Sequence, residues 1–314
     1  MLVSPKAILE RAQKGKYAVG AFNVTNLEVL QGIVRAAVAQ RAPIILQASE
    51  GAVEYMGMDY IVAMCGIAAK QANVPVAIHL DHGQDLALIR EAIRSGFTSV
   101  MFDGSHLPYA ENIRKTAQVV RLAHARGVYV EAELGAIPGT EDHISTRERD
   151  AAFTVPEQAL DFVTRTGCDA LAISIGTTHG AVKNLGKARL DIPRLKRIRA
   201  LLPNTPLVLH GASSVSKELV QETRTHCKHF QDCERLEGAN GIPDEQVKKA
   251  IKNGICKINT DTDLRIAFTA SVRETLIEQK KVFDPRKLLG PARDKVQETV
   301  EKRIAVFGSR GKHR

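Results

Sequence analysis

The sequence predicts an α/β protein, a single (β/α)8 barrel over residues 1–314 with extra helices at its C-terminal end. Three observations lead there. Eight short, continuously apolar runs recur along the chain, as expected of parallel strands covered on both faces. Helical periodicity separates them, so strand and helix alternate. Every run also ends in polar residues. A doubly wound open sheet gathers its ligands at one switch point, whereas a barrel collects all its strand ends into one ring, so eight polar ends argue for closure.

A helix is expected up to Gly15, opening at Ser4-Pro5, a capping serine followed by a proline suited to the first turn. The first strand, Tyr17–Phe22, leads to Asn23, and Leu27, Leu30, Val34 and Val38 then form a stripe at helical spacing. Pro43–Gln47 is the second strand, with Ser49 beyond it. The third, Pro75–Leu80, runs into Asp81-His82-Gly83. Gly96 stops the next helix, and Thr98–Phe102 leads to Asp103-Gly104-Ser105. Ile113, Ala117 and Val120 mark a helix closed by Gly127. The fifth strand, Val128–Leu134, carries Glu131 and Glu133 on one face, because strand side chains alternate. Ala170–Ile175 precedes Gly176 to His179, Pro206–Leu209 precedes His210-Gly211, and Ile255–Ile258 precedes Asn259 and Asp261. Helices follow from Leu264 to about Glu278 and from Pro291 to Phe307, where Val296, Val300, Ile304 and Phe307 repeat at helical spacing. Residues 265–307 exceed what a barrel needs and are expected to pack under it and on a neighbouring subunit, with a basic tail over 308–314.

Composition narrows the class further. With 44% hydrophobic and 25% charged residues, and with 12 prolines and 23 glycines that do not cluster, collagen-like and disordered readings fall away. No apolar stretch approaches the roughly 18 residues of a membrane span. Five scattered cysteines form no staple pattern, which points to reduced thiols and a cytoplasmic location. The net charge of +9 should attract anions, but 4% aromatic residues and no long basic run before the tail argue against nucleic acid.

His82, His179 and His210 follow the third, sixth and seventh strands. Any one of the ten histidines read alone is a strand cap or a donor to a carbonyl; three at one barrel mouth read as a metal clasp with an open fourth position, as in catalytic zinc sites, with cobalt or iron as substitutes. Asp81, Asp103, Glu131 and Glu133 complete the ring as acids that can orient a ligand histidine, hold a second metal or move a proton. The group His226, Cys227, His229 and Cys233 matches no tetrahedral spacing and reads as part of an exposed insertion. The turns holding Gly180, Gly211 and Ser213, and Asn259-Thr260-Asp261-Thr262, are rich in small and hydroxyl residues at the strand ends where this fold cradles phosphate. Lys183, Arg265 and Arg286 offer further positive charge.

Five ordered segments now resemble one family: Ile78-His79-Leu80-Asp81-His82-Gly83, Val130-Glu131-Ala132-Glu133-Leu134-Gly135, Ile175-Gly176-Thr177-Thr178-His179-Gly180, His210-Gly211-Ala212-Ser213-Ser214 and Asn259-Thr260-Asp261-Thr262-Asp263. Together they resemble the class II, metal-dependent fructose-1,6-bisphosphate aldolases, closest to the shorter type B branch. The resemblance implies reversible cleavage of fructose 1,6-bisphosphate in glycolysis and gluconeogenesis, with Zn2+ on His82, His179 and His210. It further implies Asp81 as acid/base at the C4 hydroxyl, Asp103 and Glu133 at a deeper metal position, and Glu141, in the loop Ala136 to Phe153, as a mobile carboxylate. Asn23, Ser49, Gly180, Lys183, Gly211, Ser213, Asn259, Asp261 and Thr262 match substrate and phosphate contacts. A monovalent cation, Na+ or K+, is implied near Gly180 and Gly211. Phe283-Asp284-Pro285-Arg286 resembles the segment that reaches a neighbouring subunit's site, so a dimer or tetramer with shared sites is expected, with Asp284 and Arg286 recognising the distal hydroxyl and phosphate. Pro138-Gly139-Thr140-Glu141 departs from the paired glycines common in relatives, and Pro138 should slow or pre-set loop closure.

Tagatose-1,6-bisphosphate aldolases share these motifs but differ around Phe283, which points to the fructose epimer. An imine mechanism on Lys183 or Lys257 is set aside because a metal ring beside them supplies the Lewis acid. A non-catalytic phosphate-binding companion subunit would lack the metal ligands, and a metal-dependent hydrolase would want a carboxylate poised for water instead of phosphate cradles.

Overall fold

The computed structural model describes residues 1–137, 152–177, 189–213, 221 and 241–314, and the backbone of 139–141 and 144–146. Helix α1 (Pro5–Gly15) opens on its cap: Ser4 Oγ accepts from the Lys6 N–H, and Pro5 sits where a helix has no internal use for a donor. There follow β1 (Val19–Asn23), α2 (Leu27–Gln40), β2 (Ile44–Ser49), α3 (Glu50–Met56), α4 (Met58–Gln71), β3 (Val76–Gly83), α5 (Leu86–Ser95), β4 (Ser99–Phe102), α6 (Tyr109–His124) and β5 (Tyr129–Leu134). A short ribbon pairs β6 (Gly139–Glu141) with β7 (Ile144–Thr146). Then come α7 (Pro156–Thr166), β8 (Ala170–Ile173), α8 (Ile192–Leu201), β9 (Leu207–Leu209), α9 (Asp244–Lys252), β10 (Ile255–Thr260), α10 (Thr262–Glu278) and α11 (Pro285–Phe307).

Eight strands close into one parallel barrel in the order β1, β10, β9, β8, β5, β4, β3, β2, as the alternating pattern predicts. Two apolar layers hold it. The larger lies between strands and outer helices. The smaller fills the barrel floor with Val19, Ala21, Ile45, Ala77, Met101, Tyr129, Ala170, Ala172 and Val208, closed from below by Ile8, Leu9 and Ala12 of α1. Above that floor the inward residues turn polar. Among the described residues no single helix is long and apolar enough to cross a membrane.

Four local readings of the sequence are corrected. The third strand runs three residues past Leu80, through His82 to Gly83. The segment between Ala136 and Phe153, read as a loop, contains the β6–β7 ribbon. The last helix begins at Pro285, with Pro291 inside it, because Asp284 supplies a capping carboxylate that accepts from the Arg286 N–H. In α2 the predicted stripe is only half the buried face: Leu30 is in the core and Val34 packs against it, but Leu27 and Val38 are 46% and 36% exposed, while Gly32, Ile33, Ala36 and Ala37 are buried. Size misled the reading, since α2 is wedged against α11 and small residues let the two approach.

Gly32 makes that approach possible. A Cβ there would lie 2.7 Å from the Arg293 carbonyl oxygen and 2.9 Å from Val296 Cγ1. Gly32→Ala should therefore destabilise by about 1–3 kcal/mol through overpacking, although alanine is the better helix former by ~1 kcal/mol. A urea titration checks this, and a more stable variant would contradict it. The repeat Val296, Val300, Ile304 and Phe307 is fully buried, and the Phe307 carbonyl accepts from Ala18, so α11 packs against α2 and the base of β1.

Candidate active site at the barrel mouth

Successive strand residues point to opposite faces, so Asp81 and His82 should not share a site. They do because β3 bulges. Its pairing with β4 shifts between Leu80 and Gly83, and His82 takes a left-handed backbone at φ 49°. That conformation costs a non-glycine residue of order 1–3 kcal/mol, so the surroundings must enforce it. Gly83 has no freedom to carry a side chain either: a Cβ would stand 2.7 Å from the Met101 carbonyl. Both Asp81 and His82 thus face inward, buried.

Three amide groups hold Asp81. Its Oδ2 accepts from Asn23 Nδ2 at 3.2 Å and Gln47 Nε2 at 2.9 Å, and its Oδ1 from Asn259 Nδ2 at 2.9 Å. Gln47 also donates to Asn23 Oδ1 at 2.6 Å, so four strand ends, β1, β2, β3 and β10, converge on one carboxylate.

The histidines meet beside it. His82 Nδ1 lies 2.9 Å from Asp103 Oδ2, and His210 Nε2 lies 2.8 Å from Glu131 Oε1. Each carboxylate accepts from the ring N–H on its side, leaving His82 Nε2 and His210 Nδ1 to face each other at 2.8 Å. Two lone pairs at that distance repel unless a proton or a metal cation lies between them. The ionised carboxylates of Asp103 and Glu131 beside the rings supply compensating charge. Asp81, His82 and His210 form one cluster able to hold a metal, and His82, Asp103 and Glu133 a second.

Electrostatics divides the groups. Burial opposes charge on His82, but Asp81, Asp103 and Glu133 outweigh it and hold its pKa well above the ordinary value. Burial and the neighbouring His82 push His210 down, against the pull of Glu131. Burial also drives Glu133 well above the carboxylate range, helped by Asp103 and opposed by His82. Asp103 and Glu131 go the other way in spite of burial: His82 and the Ser105 donors hold Asp103 low, and Lys257 and His210 hold Glu131 low. Glu133 Oε2, 3.8 Å from His82 Nδ1, has no hydrogen-bond partner among the described residues.

The remaining predicted positions sit at strand ends and helix starts with local partners of their own. Ser49 caps α3 by accepting from the Ala52 N–H; Gly211, at φ 60°, and Ser213 follow β9. Asp261 precedes α10, whose first residue is Thr262, and its carboxylate accepts from Arg265 Nε at 2.9 Å instead of from the helix amides. Asp284 and Arg286 pair with each other at an exposed helix start, Nη2 to Oδ2 at 2.9 Å, and not with the cluster. His179, Gly180, Lys183 and Pro138 lie outside the described residues, as do the group at His226 to Cys233 and the side chain of Glu141. The sequence alone gives Gln47 no role at the site and Lys257 only that of the imine candidate set aside above. Their inward strand positions were a signal, but a polar residue in an apolar run has no visible partner in one dimension.

Comparison with known proteins agrees with this geometry. Residues 3–229 and 235–312 match the family described as fructose-bisphosphate aldolase class-II. The fructose-bisphosphate aldolase of Thermus caldophilus is 51% identical over 99% of this chain and 100% of its own length. That of Helicobacter pylori strain J99 is 45% identical over 99% of this chain and 100% of its own. The crystal structure of the YdjI aldolase from Escherichia coli K12 superposes with a TM-score of 0.79 at 32% identity, covering 100% of both chains. A barrel whose strand ends gather acids around facing imidazoles, joined to likeness along nearly the whole chain, places this protein in the class-II fructose-bisphosphate aldolase family, a family of metal-dependent lyases.

Proposed function

We propose that this protein catalyses the reversible aldol cleavage of fructose 1,6-bisphosphate to dihydroxyacetone phosphate and glyceraldehyde 3-phosphate, a step of glycolysis and gluconeogenesis in the cytoplasm. The observation that carries the reading is the pair of imidazole nitrogens facing each other at 2.8 Å, each ring anchored behind by a carboxylate. The donor set suits a zinc ion, with cobalt or iron as substitutes, held by His82, His210 and His179. Asp103 and Glu133 offer a deeper position. A divalent cation there supplies positive charge for the electrons left behind when the carbon–carbon bond breaks.

The chain's own residues do the rest. Asp81, fixed by three amide donors, exchanges the proton of the C4 hydroxyl. Glu141 exchanges the proton of the ketose-phosphate half. Asn23, Ser49 and Asn259 border the reacting carbons, while Gly211, Ser213, Asp261, Thr262 and Arg265 serve a phosphate at the start of α10, where backbone amides favour an anion, with Gly180 and Lys183 assigned to the same role by the family resemblance alone. A monovalent cation near Gly180 and Gly211 completes that cradle. In a dimer or tetramer, Asp284 and Arg286 of one subunit reach the distal end of the sugar in the next, a role that suits the 90% exposed Arg286 side chain and the Asp284 that pairs with it.

A coupled assay with and without chelator, on both the fructose and the tagatose bisphosphate, tests the reading. Cleavage should depend on added zinc or cobalt and prefer the fructose epimer. Borohydride with substrate should trap no adduct; a trapped one would move the protein to an imine mechanism.

A further inference from the structure

Beneath the metal-binding clusters lies a second polar layer that the proposed reaction does not use. Lys257, on β10, is 1% exposed. Its Nζ lies 2.8 Å from Glu131 Oε2, while Glu131 Oε1 lies 2.8 Å from His210 Nε2. His79 flanks the pair, with Nε2 at 3.8 Å from Glu131 Oε2 and Nδ1 at 2.5 Å from Ser99 Oγ. Three strands, β10, β5 and β9, are thereby joined through one carboxylate. A buried lysine needs a partner, but an apolar residue of similar length would fill this space without desolvating two charges. Its retention calls for a directional role.

We propose that Lys257 is a positioning residue for the metal centre: by engaging Glu131 Oε2 it keeps Oε1 against His210 Nε2, so that His210 turns its Nδ1 lone pair toward the cation. The inference rests on reading His82 and His210 as metal ligands. Its logic is that of an orientation lock. Glu131 can accept on both oxygens, so it serves the ammonium and the imidazole N–H together. A glutamine cannot serve both. Its single oxygen would turn to the unpaired ammonium, leaving its NH2 toward His210, and His210 would then have to accept on Nε2 and carry its proton on Nδ1. The ligand atom would be blocked.

This gives a test with a counter-intuitive arm. Full-length protein is stripped of metal and titrated with zinc against a chromophoric chelator, and the cobalt-loaded form is followed by its visible spectrum. Lys257→Met and Glu131→Gln should each weaken zinc binding by about 10- to 100-fold and shift the cobalt bands. The double variant Glu131→Gln/Lys257→Met should bind at least about tenfold tighter than Glu131→Gln alone, because with the ammonium gone the amide can turn its oxygen back to His210. Removing the charge pair as a unit leaves no unpaired buried charge, so the double variant keeps the comparison available where Lys257→Met fails to fold. A double variant that binds no tighter than Glu131→Gln, or a folded Lys257→Met with the zinc affinity and cobalt spectrum of the unaltered protein, overturns the proposal. Unaltered protein that binds no zinc overturns the metal-centre reading instead, a separate outcome.

Discussion

Asp81→Asn should lower kcat by about 10²–10⁴-fold while zinc binding changes little. The carboxylate accepts from the amides of Asn23, Gln47 and Asn259 at 2.9–3.2 Å, a pocket built of donors only. An asparagine would set its own NH2 against at least one of those donors and would carry no charge with which to take a proton. The loss should fall on kcat and on kcat/KM alike, with KM within a few-fold, as for an interaction realised in the transition state. Steady-state kinetics on the fructose bisphosphate, with metal content measured on the same preparation, checks it. A kcat within tenfold of the unaltered protein would remove Asp81 from the proton transfer.

Chelation should abolish turnover, and the pH dependence of reloading should show why. Metal must displace the proton that His82 holds well above the usual histidine range, so apparent zinc affinity should climb by up to about tenfold per pH unit until pH passes that raised value. The metal-free protein should respond in the opposite sense. His82 and Glu133 both bind protons more tightly in the folded than in the unfolded chain, so they contribute stability that is lost as pH rises through their raised folded values. His79 and His210, whose pKa values are lowered, add stability with rising pH, but only up to the ordinary histidine range of about 6.5. Asp103 and Glu131, both depressed, add a contribution that is complete once pH exceeds the ordinary carboxylate range. Between about pH 7 and 8, below the range where the buried thiols of Cys65, Cys168 and Cys256, pushed up to about 12, cost both forms stability, the chelated protein should melt at progressively lower temperature while the zinc-loaded protein does not. Parallel melting curves across that range would contradict the assignment of the raised groups to the metal centre.

The outline of the fold was legible because each strand carries its own signal: apolar runs closed by Asn23, Asp81, Asp103 and His210 need no partner to be recognised. Cap chemistry read equally well at Ser4-Pro5. What failed was face assignment in α2, where the large apolar residues Leu27 and Val38 point outward and Gly32 and Ala36 inward. The start of α11 failed for a related reason: Pro285 and Pro291 satisfy the same first-turn rule, and the capping Asp284 distinguishes them. At the site, Asp81, His82 and His210 could be chosen from their places after strands, but the roles of Gln47 and Lys257 could not, since their chemistry appears only with the partners they meet across the barrel.

The order of elements, the residues at each strand end and the sign of the charges gathered there follow from the chain itself, since alternation, capping and residue type are local properties with local physical causes. Which nitrogen of His82 and of His210 is left open, the left-handed turn that brings His82 onto the same side as Asp81, and the Lys257–Glu131 pair beneath them belong to the closed barrel. These depend on side chains drawn together from strands tens of residues apart, and proton placement in a buried site is set by distances that exist only after closure.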